Sequence, residues 1–341
     1  MAELSDRKKK ILSSVIELYI KTGEPVGSKG LISYTGMTVS SATVRNEMNE
    51  LDSLGFLEQP HTSAGRVPTQ QGYRYYLDHL MKEKSIDDVT KRIIDAGISP
   101  AVGDPERLVE RARDLMVDLT KYACISTAPI GEETLLRRIE LVPVGPHTLM
   151  MVLLTSNGIL KSRLCRLDEI NIQLLEKFRN ISDSFFIGKA VGDINLASLQ
   201  TIAFSVGDDY FSILPLMAAV SELAGSTADS RMVLGGTSNL LSLKDYGNNA
   251  VSVLDFLNKK EPFSQVIKSS KGNLDVHIGT ENRFKQLKDS SVIVSKYSVN
   301  GDTSGSISIV GPTRMNYETI IPSIRYLSDL VGELISQALD E

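Results

Sequence analysis

Between Val39 and Thr69 the chain reads VSSATVRNEMNELDSLGFLEQPHTSAGRVPT, and no other stretch constrains the fold as tightly. Val44, Met48 and Leu51 recur at i, i+4 and i+7, which puts them on one stripe of a helix. Ser40 or Ser41 caps its start and Gly55 ends it. FLEQP and GRVPT then read as short extended pieces around the loop HTSAG. Upstream, Ile11, Leu12, Val15, Leu18 and Tyr19 have helical spacing and stop at Gly23 and Pro25. SKGLISYTGM is a short second helix that Gly36 stops. The predicted order is helix, helix, helix, hairpin.

A helix that enters the DNA major groove must present small or hydrogen-bonding side chains at its N-terminal end, because base edges carry donors and acceptors. SSATVRNEM meets that demand. Ser41, Ala42 and Thr43 permit close approach, while Arg45 and Asn46 suit guanine and adenine edges. Ser28 and Lys29 open the second helix where a phosphate contact belongs. A hairpin tip of SAGR can lie along the backbone or the minor groove, with Gly65 allowing the turn that presents Arg66. The expectation is a winged helix-turn-helix with double-stranded DNA as partner and Ser28, Lys29, Ser41, Thr43, Arg45, Asn46 and Arg66 as its contacts. The competing explanation, a solvated polar face, accounts for the helix but not for the hairpin in the wing position.

The chain of 341 residues is long enough for two or three domains. Its formal net charge is -5, but residues 1–85 hold 11 Lys+Arg against 10 Asp+Glu, so only this part is suited to a polyanion. Cys124 and Cys165 lie in apolar stretches without Cys-x-x-Cys spacing and read as reduced packing residues of a cytoplasmic protein. The longest apolar run, Leu149–Leu154, suits a buried strand and is too short for a bilayer, so no membrane partner is expected. QQGYRYYLDHLMKE, SIDDVTKRIIDAG and DPERLVERARDLMVDLTKYA are helical; the latter two serve as a linker. From about Ile125 strand-like runs take over, helices return from about Asp168 to Asp245, then strands, then a closing helix. That order suggests a multidomain α+β chain in which one domain carries an insertion.

In ATVRNEMNELDSLGFLEQPHTSAGRVPT and GYRYYLDHLM the chain resembles the heat-inducible transcription repressor family, HrcA. The resemblance is specific in the first eighty or so residues and continues as a pattern to the end. It implies a winged helix over 1–85, a helical linker over 86–124, a GAF-like domain over 125–168 and 246–341, and a dimerisation domain inserted at 169–245. It also implies a repressor of chaperone operons that binds an inverted-repeat operator, CIRCE, as a homodimer. The chaperonin GroEL is implied as the partner that supports activity. FSILPLMAAVSEL, more apolar than a solvated helix, is the candidate dimer contact, with core packing inside the insertion as the alternative.

Other chemistry is sparse. His61, His79, His147 and His277 have no metal-ligand spacing, and no metal or cofactor is expected. Asp208 and Asp209 read as a solvated turn, and VLGGTSNLL lacks the lysine of a phosphate loop. TSNGI has no nucleophile-elbow pattern, so an enzyme with a regulatory winged helix is the weaker alternative. A regulator switched by a small molecule in the GAF-like domain is the other. No polar cluster names such a ligand, which favours an empty, structural domain. Tyr73, Tyr75 and Tyr76 are expected to pack the following helix against the winged helix or a partner subunit rather than stack on DNA.

Overall fold

The computed structural model describes residues 4–62, 64–82, 84–101, 103–127, 134–156, 158–195, 198–200, 202, 210–228 and 232–340. Helices α1 (Asp6–Thr22), α2 (Ser28–Thr35) and α3 (Ser41–Ser53) come first. They bury Ile11, Leu12, Val15, Leu31, Val44 and Leu51 against one another, the stripes that the spacing predicts. Strands β1 (Leu57–Glu58) and β2 (Val67–Pro68) pair antiparallel, and Val26 bridges to Arg66 as a third strand position. α4 (Gln70–Tyr75) leaves the hairpin and runs into a π-helical turn over Tyr76–Leu80. Gly72 is dictated by packing, because a Cβ there would sit 2.1 Å from the Phe56 carbonyl oxygen. Tyr73, Tyr75 and Tyr76 are buried, with the Tyr75 ring 5.0 Å from that of Phe56, edge to face.

Helices α5 (Asp88–Ile98) and α6 (Pro105–Thr120) follow, then β3 (Ala123–Thr127). The chain next builds β4 (Leu136–Gly145), β5 (Thr148–Thr155) and β6 (Leu160–Arg166), an antiparallel three-stranded sheet that, among the described residues, is joined to no other strand. α7 (Ile172–Phe185) and α8 (Tyr210–Ala228) pack on it. Leu149, Met151 and Leu153 from the sheet share one core with Phe178 of α7 and Ile213 and Met217 of α8.

β7 (Met232–Gly235) returns to pair with β3. α9 (Thr237–Ser242), α10 (Ala250–Leu257) and α11 (Lys260–Ser269) precede β8 (Leu274–Ile278), β9 (Ser290–Val299) and β10 (Asp302–Pro312), and α12 (Tyr317–Asp340) closes the chain. The main sheet has the order β7-β3-β10-β9-β8 and is antiparallel throughout. One face packs on α5, α6 and α12 through Ile94, Leu108, Met116, Ile324 and Leu327. The other packs on α9 to α11 through Leu240, Val253, Phe256 and Phe263.

Two boundaries differ from expectation. A cut at 168/169 passes through the unit of β4–β6, α7 and α8, whose shared apolar core binds the strands to the helices rather than to the main sheet. The helical linker expected at 86–124 forms α5 and α6, which pack against α12, but its last residues, Ala123 and Cys124, already belong to β3 of the main sheet. One side of FSILPLMAAVSEL is core: Ile213, Leu216, Met217 and Val220 are fully buried against the three-stranded sheet and α7. Core packing accounts for that buried side of the helix, while Phe211 and Leu214 of the same stretch are 80% and 39% exposed.

Candidate nucleic-acid interface

α3 opens at Ser40, whose hydroxyl accepts from the Thr43 N–H at 3.1 Å and lies 2.9 Å from the Thr43 hydroxyl. Such a cap satisfies donors that the first turn leaves open. Ser28 is buried, its hydroxyl 2.8 Å from that of Ser41, and this bond locks the first turn of α2 to the first turn of α3. Ser28, Ser41 and Thr43 are therefore already engaged in aiming the helix. With Val44, Met48 and Leu51 turned inward, the outer face of α3 carries Ala42, Arg45, Asn46 and Asn49, all exposed. The side chains of Lys29, Arg45 and Asn46 make no hydrogen bond or ion pair with another described residue. α2 begins at Gly27 without a side-chain cap, which leaves its first N–H groups open to an anion beside Lys29.

The wing differs from expectation at its one arginine. Arg66 is at the base of the hairpin, not its tip, and its side chain is only 15% exposed. Its backbone exchanges two 2.9 Å hydrogen bonds with Val26. Its guanidinium lies 2.7 Å from Asp52 through Nε and donates to Asn49 Oδ1 at 2.8 Å through Nη2. Gly65 has an ordinary φ; it is required instead by contact, since a Cβ would sit 2.4 Å from the carbonyl carbon and oxygen of Val26. Gln59 braces the wing from within, its Nε2 donating to the Thr62 and Ala64 carbonyls at 3.0 and 2.9 Å. Ser63, in the expected SAGR tip, lies outside the described residues.

Between α2, α3 and the wing runs a groove of about 430 Å³, lined by Ser28, Arg45, Asn49, Gln59, Thr62 and Arg66 among others. Charge around it is uneven. Lys8 is bonded to Glu50 at 2.8 Å and Glu47 at 3.2 Å, and these bonds raise its pKa. Arg66 faces Asp52. Lys29 and Arg45 are not in an ion pair with a described residue; Lys29 lies in the first turn of α2, where the helix dipole adds positive potential, and Arg45 in the second turn of α3. The groove can therefore take a polyanion on its rim and offer amide groups to whatever edge enters it.

The unit is docked firmly on the rest of the chain. Gln70 Oε1 accepts from the Thr280 N–H at 2.9 Å and from its hydroxyl at 2.8 Å. Arg74 pairs with Glu281 and the Val276 carbonyl, and Arg314 bridges Asp245 and the Ile20 carbonyl. The cysteines are buried free thiols, and burial raises both pKa values. Among the described residues no three His, Cys, Asp or Glu side chains gather as a metal site, and no helix is long and apolar enough to cross a membrane. Asp208 and Asp209 lie outside the described residues.

Three packed helices, a helix-turn-helix with its second helix capped outward, and a braced hairpin beside it define a winged helix-turn-helix protein. Residues 3–81 match the family model described as winged helix-turn-helix transcription repressor, HrcA DNA-binding, and residues 106–321 match that of the HrcA protein C-terminal domain. The chain belongs to the HrcA family. A heat-inducible transcription repressor HrcA from Acetivibrio thermocellus is 31% identical over 98% of this chain and 97% of its own length. Its counterpart from Halalkalibacterium halodurans is 32% identical over 98% of each chain. A crystal structure described only as that of a hypothetical protein superposes with a TM-score of 0.71, at 25% identity, over 98% of this chain and all of the other.

Proposed function

We propose that the protein is a sequence-specific repressor of heat-shock chaperone genes. It uses α3 to read an inverted-repeat operator of the CIRCE kind and has no catalytic role. One observation carries this: the side chains of Lys29, Arg45 and Asn46 are exposed and unengaged on α2 and α3, and Arg45 lines the groove. Arg45 and Asn46 suit base edges, and Lys29 with the open N-terminus of α2 suits a phosphate. The α+β domain, GAF-like by resemblance, acts in this scheme as a scaffold.

An inverted repeat requires two copies of the chain. The support for a homodimer is the outer face of the three-stranded sheet. There Val142, Met150 and Leu164 form one cross-strand row, with Leu164 63% exposed and Val142 41% exposed. An apolar row of that exposure suits a second copy. Opening of such a dimer would bare apolar surface of the kind a chaperonin binds. This gives a physical route by which GroEL maintains the repressor and heat, by diverting GroEL, releases the genes.

The test is footprinting of the purified chain on the promoters of its own chaperone operons. Protection of an inverted repeat is expected. No protection under conditions where the chain is folded and dimeric would defeat the proposal.

A further inference from the structure

Asn49 lies two turns into the outer stripe of α3, in line with Ser41 and Arg45 at four-residue spacing, and it lines the groove. The sequence alone does not single it out. Arg66 does, through the 2.8 Å bond from its Nη2 to Asn49 Oδ1. A guanidinium has donors and no acceptor, so the oxygen of the amide is the atom that must face it. The assignment of oxygen and nitrogen, arbitrary for a free asparagine, is fixed here by chemistry. The amide nitrogen of Asn49, with its two hydrogens, is left for a partner in the groove. Arg66 is itself held at both ends, by Asp52 on the same helix and by the Val26 backbone under the wing. Gln59 shows the opposite polarity: its nitrogen is spent on the Thr62 and Ala64 carbonyls, which leaves its oxygen as the open atom.

We infer that Asn49 is a specificity-determining residue for DNA and Arg66 a positioning residue that sets its polarity. The Asn49 amide presents a donor, so it selects an acceptor on a base edge: N7 or O6 of guanine, N7 of adenine, or O4 of thymine. Arg66 makes its contribution through Asn49 and the wing rather than by a phosphate contact of its own. This assignment rests on α3 being the DNA-reading helix, as proposed above.

The experiment uses the full-length chain and a duplex that the wild-type chain selects from a randomised pool, so it does not depend on the identity of the operator. Affinity is then measured for that duplex and for every single base-pair substitution in it. Wild type must show base preference; a flat profile would sink the reading of α3 itself and this assignment with it. For Asn49→Ala, discrimination should fall about fivefold or more at one base pair per half-site and stay intact elsewhere. Asn49→Asp should keep its bond to Arg66 and present an oxygen outward, moving the preference at that pair toward a base offering N–H. Arg66→Ala should lose discrimination at the same pair, the double variant Asn49→Ala/Arg66→Ala should lose no more there, and Arg66→Lys should restore part of it. Melting curves establish that each variant is folded. Folded Asn49→Ala with an unchanged profile, or with a uniform loss at all positions, would overturn the assignment. So would an Arg66→Ala chain whose loss is uniform and whose salt dependence drops.

Discussion

Tyr76 donates its phenolic hydrogen to Glu318 at 2.9 Å, and Lys84 approaches the other oxygen of the same carboxylate at 2.5 Å. The bond joins the helix that leaves the wing to the first turn of α12, so the winged helix is fastened to the α+β domain by polar contacts as well as by packing. Arg74 repeats the arrangement on Glu281.

These two carboxylates make the docking pH-dependent. Burial works to raise the pKa of Glu318, but hydrogen bonds from Lys84 and Tyr76 outweigh it, and the net shift is downward. Glu281 behaves likewise: burial raises it, while Arg74 and the Ile278 N–H prevail and lower it. A carboxyl lowered in the folded state stabilises above its unfolded value of 4.5, and that stability is lost as pH falls through the folded pKa. The melting temperature should therefore drop between about pH 5 and pH 3, and less steeply for the double variant Glu281→Gln/Glu318→Gln. Parallel curves for the two proteins would remove these groups from the acid response.

Gly65→Ala should separate the wing from the strand position at Val26, because the new Cβ would meet backbone 2.4 Å away. A clash against backbone costs about 1–3 kcal/mol. Calorimetry should show that loss, and operator affinity should fall with it. An alanine variant of wild-type stability and affinity would mean that the hairpin base is looser than described.

Arg45 and Lys29 should separate specificity from affinity. Arg45→Ala is expected to cost about 1–3 kcal/mol and to relax preference at one position. Lys29→Ala should weaken all duplexes equally and reduce the slope of log K against log salt by about 1. Titrations at several salt concentrations on cognate and substituted duplexes check both. Interchanged patterns would reverse the two roles.

Leu164→Glu places a charge on the outer row of the three-stranded sheet without touching the core beneath it. The chain should remain folded by circular dichroism and sediment as a monomer. A variant still dimeric at micromolar concentration would exclude this face as the contact between copies.

Much of the winged helix was legible because its determinants are local. The stripe Val44, Met48, Leu51, the Ser40 cap and the paired pieces at Leu57 and Val67 are each set by residues a few positions apart. Arg66 misled because a cation beside a glycine in a turn reads as an exposed tip. Its partners Asn49, Asp52 and Val26 lie on other elements and leave no local trace. Asn49 was within reach, since it extends the stripe of Arg45 by one more turn. The sheet partition was not. Alternation in β4 to β6 declares a strand with one buried face but does not name the strand beside it, and the core that claims these strands is completed by α8.

The register of the main sheet has one more consequence. The chain leaves it at Thr127 and re-enters at Met232, and those two residues are direct partners across neighbouring antiparallel strands. Topologically, everything between them is the loop of a β-hairpin enlarged until it acquired a core. The two ends of that loop already meet at hairpin distance. Replacing the whole excursion by a tight turn would leave the registry of β3 and β7 unaltered, and the pendant unit could be exchanged between relatives like a cartridge in a fixed socket.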